Sequence, residues 1–150
     1  MKKKRRIQKV LVVLGTRPEA IKLAPVVREL KRRPREFRCV LATTSQHREM
    51  LAPMLEFFGL VPDHDLDVMR RNQQLAELTG RVLAGMDRLL DAERPDWVVV
   101  QGDTTTAMAA GLAAYYRQIR VAHVEAGLRT NQKYSPFPEE INRKLVGALA

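Results

Sequence analysis

The chain has 150 residues, of which 45% are hydrophobic, and a formal charge of +9. This length suffices for one domain with a sizeable core, and no apolar run reaches the roughly 20 residues that span a membrane. The single cysteine, Cys39, excludes an intrachain disulfide or a multi-cysteine metal site, and we expect a buried strand thiol. Because residues 1–15 also lack a signal-peptide cleavage pattern, we expect a soluble, cytoplasmic protein.

The positive charge is concentrated at the start of the chain. Residues 1–9 contain six of the 26 Lys and Arg residues, and the remainder has 20 basic against 17 acidic residues. Such a run is more often a solvated tail than a nucleic-acid-binding arm. We therefore interpret residues 1–9 as a basic tail and residues 10–150 as one domain.

Apolar, β-branched runs alternate with segments of helical periodicity along the chain. The predicted strands are residues 10–14, 39–43, 96–101 and 121–125, with a weaker candidate at 66–68. The predicted helices are residues 17–33, 47–58, 73–93 and 107–116, and a last one that begins at PEEINR. Continuous apolar strands separated by helices indicate an α/β fold with a doubly wound parallel sheet. No strand follows the last helix, whose apolar positions lack a partner, and we therefore expect a fragment.

The segment after the first strand, GTRPEAIK, has features of an anion site. Gly15 permits a tight turn, and Thr16 with Glu19 three residues later fits a capping box. Arg17 and Lys22 then lie in the opening turns of a helix, whose free N–H groups favour an anion. A phosphate site is one interpretation, and ordinary helix capping with two solvated cations is the other.

Three acidic residues follow strands or begin a helix at the edge where doubly wound sheets bind ligands. Asp103 in QGDTTT either caps the next helix or presents a carboxylate, with Thr104 as the other candidate cap. Glu125 ends the segment HVE. His-x-Glu also occurs in zinc deaminases, but those sites need two further cysteines, and this chain has one cysteine. Glu139 in SPFPEE lies at a predicted helix N-terminus, so its alternative role is only to stabilise the positive end of the helix dipole. We expect the three carboxylates to converge and to divide into acid and base.

Five motifs in register carry a family resemblance: GTRPEAIK, QHREML, GDTTT, HVEAGLR and SPFPEEINR. They resemble the N-terminal half of the bacterial non-hydrolysing UDP-N-acetylglucosamine 2-epimerases over about residues 10–150. The resemblance implies two Rossmann-like domains in a glycosyltransferase-B-like arrangement, a substrate cleft between them, and a homodimer. It also implies that this chain is an incomplete first domain without the second, and that it is inactive alone.

The resemblance implies interconversion of UDP-N-acetylglucosamine and UDP-N-acetylmannosamine for surface-polysaccharide synthesis. The C2 proton is removed and UDP is eliminated, and UDP is then added back after inversion at C2, without a metal or other cofactor. The catalytic acids of the family match Asp103, Glu125 and Glu139. Basic residues at the nucleotide-phosphate end match Arg17 and Lys22.

A regulatory UDP-sugar site of some family members is matched only in part. Gln46 fits that pattern and is a candidate regulatory residue. Glu49 and Asn72, however, stand where some regulated members have glutamine and arginine. The resemblance therefore does not carry substrate activation over to this chain.

Other functions remain open on the sequence. A hydrolysing epimerase or a UDP-sugar glycosyltransferase would share the cleft and differ in its products. A non-catalytic UDP-sugar-binding or dimerisation module would share the cleft without turnover. We expect a UDP-sugar partner and no nucleic-acid or membrane partner, and the basic tail is the one feature that favours nucleic acid.

Overall fold

Five strands and five helices alternate along residues 6–45 and 48–150, which are the residues that the computed structural model describes. The strands are β1 (Gln8–Leu14), β2 (Phe37–Thr43), β3 (His64–Asp65), β4 (Trp97–Gln101) and β5 (Arg120–Val124). The helices are α1 (Arg17–Arg32), α2 (Arg48–Phe58), α3 (Leu75–Glu93), α4 (Thr105–Tyr116) and α5 (Glu139–Leu149). Helices thus follow strands in the order that the hydrophobic pattern predicts.

The strands form one parallel sheet in the order β3-β2-β1-β4-β5. The chain runs outward from β1 to β3 on one side, and then returns to continue from β4 to β5 on the other. The strand order therefore reverses between β1 and β4, which is the switch point where such sheets bind ligands. The predicted doubly wound α/β fold is confirmed.

Both faces of the sheet are covered, which explains why the strands are continuously apolar. In β1, Leu11 and Val13 pack in the core cluster that contains α3, α4 and α5 residues. Val12 and Leu14 pack in the cluster on the opposite face, with residues of α1 and α2. All four of these β1 side chains are at most 1% exposed. The helices α1 and α4, which begin beside the switch point, consequently lie on opposite faces.

The weaker strand prediction at residues 66–68 is wrong. The short strand lies two residues earlier, where His64 and Asp65 pair with the end of β2. Asp67 has a φ of 46°, in the left-handed region, and so cannot continue a strand. Leu66 instead packs against α3 at Gly85, where an added Cβ would lie 3.3 Å from the Leu66 side chain.

The last helix is packed although no strand follows it, contrary to the expectation from the sequence. Val146 is fully buried in the core cluster on the α4 side of the sheet. An added Cβ at Gly111 of α4 would lie 3.8 Å from the side chains of Val146 and Leu149, so glycine permits the close approach. Leu145, another apolar residue of α5, is 48% exposed. The residues that α5 presents to the site are thus held by a packed helix.

Two further findings concern Cys39 and membranes. Cys39 is half-buried rather than buried, and burial raises the pKa of its thiol, which disfavours the reactive thiolate. Among the described residues, no helix combines the length and apolar character required to cross a bilayer.

Candidate active site

Lys22 and Glu125 form an ion pair across the carboxyl edge of the sheet. Lys22 lies in the second turn of α1, and its Nζ is 2.5 Å from Glu125 Oε2. The side-chain amide of Gln101, at the end of β4, donates to the same carboxylate oxygen. Glu125 directly follows β5 and has a φ of 60°, a conformation that is uncommon for residues other than glycine and clusters at functional sites. Side chains from two elements, α1 and β4, therefore fix the Glu125 carboxylate.

Asp103 is held from the opposite side by α5. The guanidinium of Arg143, which is 6% exposed, pairs with Asp103 Oδ2 and also donates to the backbone carbonyl of Glu125. The side-chain amide of Asn142 donates to the Asp103 carbonyl at 2.9 Å. One buried guanidinium thus bridges the loops that follow β4 and β5.

Thr104, and not Asp103, caps α4. The Thr104 hydroxyl accepts a hydrogen bond from the Ala107 N–H at 3.0 Å. This contact decides between the two caps that the sequence allowed. Because the cap belongs to Thr104, the Asp103 carboxylate is free to bind Arg143.

Glu139 begins α5, four residues before Arg143 and therefore on the same helix face. One carboxylate oxygen, Oε2, is buried and has no hydrogen-bond partner among the described residues. An unpaired buried oxygen is unfavourable, and it is an acceptor that a bound ligand can satisfy. The convergence of Glu139 with Asp103 and Glu125 stays a prediction that this arrangement favours.

The two predicted phosphate ligands differ in their surroundings. Arg17 is exposed at the start of α1, as an anion site would need. Lys22 is engaged by Glu125, so any role at a phosphate would have to be shared with that carboxylate. Thr16 is the N-cap of α1, and its N–H donates to Glu19 Oε2 at 2.7 Å, which is the glutamate half of the expected capping box.

The regulatory candidate Gln46 lies outside the described residues. Glu49 is exposed in the first turn of α2, and Asn72 is exposed with a φ of 54°. No group of three metal-binding side chains occurs within residues 6–45 and 48–150. His123 donates from Nε2 to the Gly102 carbonyl at 2.6 Å, so it braces the loop after β4.

Glu140 is a site residue to which the sequence analysis assigned no role. Its side chain is buried and accepts hydrogen bonds from the backbone N–H groups of Thr130 at 2.9 Å and Asn131 at 3.2 Å. These bonds, with the nearby ammonium of Lys144, lower the pKa of Glu140 to about 2. Glu140 therefore anchors the loop between β5 and α5 as an anion.

This loop and α5 line an open cleft of about 260 Å³ beside Asp103. Its lining includes two guanidinium groups, those of Arg129 and Arg143, together with the carboxylates of Asp103 and Glu140. A concave site with opposed charges suits a polar ligand that carries both acceptors and donors.

The sequence matches a known family. The UDP-N-acetylglucosamine 2-epimerase family model matches residues 28–150. The chain belongs to this family. It is 55% identical over 142 residues to the UDP-N-acetylglucosamine 2-epimerase of Bacillus subtilis, which covers 95% of this chain and 37% of that protein. The epimerase match thus extends in front of residue 28, where the GTRPEAIK motif lies.

Solved structures of epimerases have the same fold. A crystal structure of a UDP-N-acetylglucosamine 2-epimerase superposes with a TM-score of 0.92 and 54% identity, over 97% of this chain and 40% of the other. The Neisseria meningitidis UDP-GlcNAc 2-epimerase, bound to UDP-GlcNAc, superposes with a TM-score of 0.89 and 49% identity, over 95% of this chain and 39% of the other. Acinetobacter baumannii MurG has a TM-score of 0.70 and 15% identity over 95% of this chain and 40% of MurG, and it shows a shared fold alone. The chain thus spans about two fifths of the length of its epimerase relatives.

The anchoring role of Glu140 predicts a pH-dependent effect of Glu140→Gln on stability. The folded-state pKa of about 2 lies below the ordinary 4.5, so ionised Glu140 stabilises the fold above about pH 4.5. This contribution fades as the pH falls toward 2. Urea unfolding should therefore show the variant less stable than the wild type at pH 7, with the difference shrinking at pH 3.

Glu77→Gln is the matched control, because Glu77 pairs with Arg81 on the exposed face of α3. Exposed pairs of this kind contribute little, so its effect should be small at both pH values. An equal loss of stability for Glu140→Gln at pH 7 and pH 3 would contradict the anchoring role.

Proposed function

We propose that this chain is the first domain of an enzyme that interconverts UDP-N-acetylglucosamine and UDP-N-acetylmannosamine. The observation that carries the proposal is the arrangement of Asp103 and Glu125 around Arg143, beside Lys22, at the ligand-binding edge of an epimerase-family domain. The Neisseria meningitidis relative, 49% identical, binds UDP-GlcNAc. A UDP-sugar is accordingly the proposed substrate.

The proposed reaction needs acid–base groups and no net redox change. A base removes the C2 proton while the C1–O bond breaks and UDP leaves with the bonding electrons, which gives an alkene. The reverse addition of UDP, with a proton delivered to the opposite face of C2, completes the inversion. We propose that Asp103, Glu125 and Glu139 share the proton-transfer and elimination steps, since positioned carboxylates serve as acid and base.

The cations at the same edge have a complementary role in the proposal. Lys22 and Arg143 hold two of the carboxylates in place, and the exposed Arg17 at the start of α1 binds the diphosphate. Negative charge accumulates on UDP as the C1–O bond breaks. A cation and free helix N–H groups stabilise that charge where it develops.

The proposal includes a second domain, because the epimerase relatives are about two and a half times as long as this chain. The second domain would close over the substrate and supply most uridine contacts. Positioning requires a substrate held from both sides, and a misplacement of about 1 Å can cost 10²-fold. We further propose a homodimer, a cytoplasmic location and a role in surface-polysaccharide biosynthesis.

The products of the reaction test the proposed function directly. A protein of the relatives' length that carries this chain, here called the full-length form, is incubated with UDP-N-acetylglucosamine in deuterated water. We expect UDP-N-acetylmannosamine, with deuterium at C2 of both nucleotide sugars, and no turnover by the 150-residue chain alone. Nuclear magnetic resonance and mass spectrometry measure both.

Other products would identify a different enzyme. Free N-acetylmannosamine plus UDP would indicate a hydrolysing epimerase. Transfer of the sugar to an acceptor would indicate a glycosyltransferase. If the full-length form gives no UDP-N-acetylmannosamine and no exchange at C2, it is not an epimerase. Turnover by the 150-residue chain would overturn the need for a second domain.

Amide replacements test the three carboxylates. Asp103→Asn, Glu125→Gln and Glu139→Gln each preserve shape and remove ionisation, so each should lower kcat of the full-length form by about 10²-fold or more. The control is Glu77→Gln on α3, which should leave kcat unchanged. If all three amide variants keep near-wild-type epimerisation and C2 exchange, the assignment is wrong.

The exposed Arg17 is tested by its affinity for UDP. Arg17→Ala in the full-length form should weaken UDP binding by roughly 1.5–3 kcal/mol, the range for hydrogen bonds to charged groups. Arg35→Ala is the matched control, because Arg35 is exposed in the loop between α1 and β2, at the opposite edge of the sheet. Calorimetry that gives equal UDP affinities for both variants would remove Arg17 from the site.

A further inference from the structure

Glu19 is a buried acidic residue to which the proposed reaction assigns no step. It lies in the first turn of α1 and is 1% exposed. Among the described residues no Lys, Arg or His pairs with it, and burial raises the pKa of its carboxyl group. A buried carboxyl group without a cation is unfavourable unless hydrogen bonds compensate. The contacts that retain it are therefore informative.

Four donors surround the Glu19 carboxylate. Oε2 accepts from the N–H groups of Gly15 at 2.8 Å and Thr16 at 2.7 Å, and from the Thr16 hydroxyl at 2.8 Å. Oε1 accepts from the Thr104 hydroxyl at 2.6 Å. Because the Thr104 oxygen already accepts from the Ala107 N–H, its single proton is free to point toward Glu19. Both carboxylate oxygens are thus engaged, and by different loops.

The two loops are those on either side of the switch point. Gly15 and Thr16 follow β1, while Thr104 follows β4, and β1 and β4 are neighbours at the centre of the sheet. The helices that continue from these loops, α1 and α4, cover opposite faces. The hydrogen bond from Thr104 to Glu19 therefore connects two halves of the domain that diverge from this point.

We propose that Glu19 is a positioning residue that holds the Asp103 loop against the start of α1. Thr104 is adjacent to Asp103, and the Glu19 helix carries Arg17 and Lys22. Arg143 fixes the Asp103 side chain from the α5 side, and Glu19 fixes the same loop from the α1 side through Thr104. The inference rests on the proposed function, because it is through Asp103 that Glu19 affects turnover.

Glu19→Gln in the full-length form tests the inference. The amide has the same shape but a single acceptor oxygen. With that oxygen on the Gly15 and Thr16 donors, it meets Thr104 only as a neutral NH2 donor, so the charge-assisted hydrogen bond from the Thr104 hydroxyl is lost. We expect kcat to fall at least about 10-fold, since small misplacements of catalytic groups are costly. KM should change by less than about threefold because Glu19 does not contact substrate. Far-UV circular dichroism should match that of the wild type.

Thr104 provides a matched pair of variants at the other end of the hydrogen bond. Thr104→Ser retains the hydroxyl and should keep kcat within about threefold of the wild type. Thr104→Val removes both the bond to Glu19 and the α4 cap, and should lower kcat at least as much as Glu19→Gln does. If Glu19→Gln fails to fold, this pair decides. Wild-type kcat in folded Glu19→Gln, or equal kcat in the two Thr104 variants, would overturn the inference.

Amide hydrogen exchange in the 150-residue chain separates this inference from the proposed function. Glu19→Gln should speed exchange at Ala107, whose N–H donates to the Thr104 hydroxyl, and leave Leu89 of α3 unchanged. If the wild-type full-length form does not epimerise but the variant shows this exchange pattern, the epimerase proposal and the effect of Glu19 on kcat are refuted. The Glu19–Thr104 hydrogen bond is then still supported. An epimerising wild type with unchanged exchange in the variant refutes the link alone.

Discussion

The buried guanidinium of Arg143 is the interaction on which the candidate site depends. A buried charge needs a partner of opposite charge and further hydrogen bonds, and Arg143 has these in the Asp103 carboxylate and the Glu125 carbonyl. These partners lie 40 and 18 residues away along the chain. They can meet because β4 and β5 are parallel neighbours whose carboxyl ends reach the same edge. Arg143 thus holds together two loops that the parallel sheet brings to the same edge, and fixes their positions relative to one another.

The same edge is reinforced from the α1 side by two further carboxylate contacts. Lys22 reaches Glu125, and Glu19 reaches Thr104 beside Asp103. Each acidic loop is consequently held from α1 and from α5, which lie on opposite faces of the sheet. Rigid support of this kind is what a site that works by positioning requires. Glu140 extends it to the loop between β5 and α5 by binding the Thr130 and Asn131 backbone.

The fold was predictable because each of its major signals is local. The apolar run that became β1 and the Thr16 cap of α1 depend on neighbouring residues, so the order of strands and helices follows from the chain alone. The short β3 was misplaced because two residues carry too little pattern, and the positive φ of Asp67 that ends it has no strong sequence signal. The packing of α5 depended on Gly111, 35 residues before Val146.

The candidate site was only partly predictable, for the same reason. The rule that ligands bind at the carboxyl edge selected Asp103 and Glu125, but the pairing of Lys22 with Glu125 spans 103 residues and left no trace in the sequence. Arg143 was overlooked although its spacing of four from Glu139 placed both on one helix face.

The most direct test of the account is a crystal structure of the full-length form with UDP-N-acetylglucosamine. The account predicts the sugar C1 and C2 atoms beside Asp103, Glu125 and Glu139, within about 3.5 Å of a carboxylate oxygen. A sugar bound away from the carboxyl edge of the sheet would contradict it.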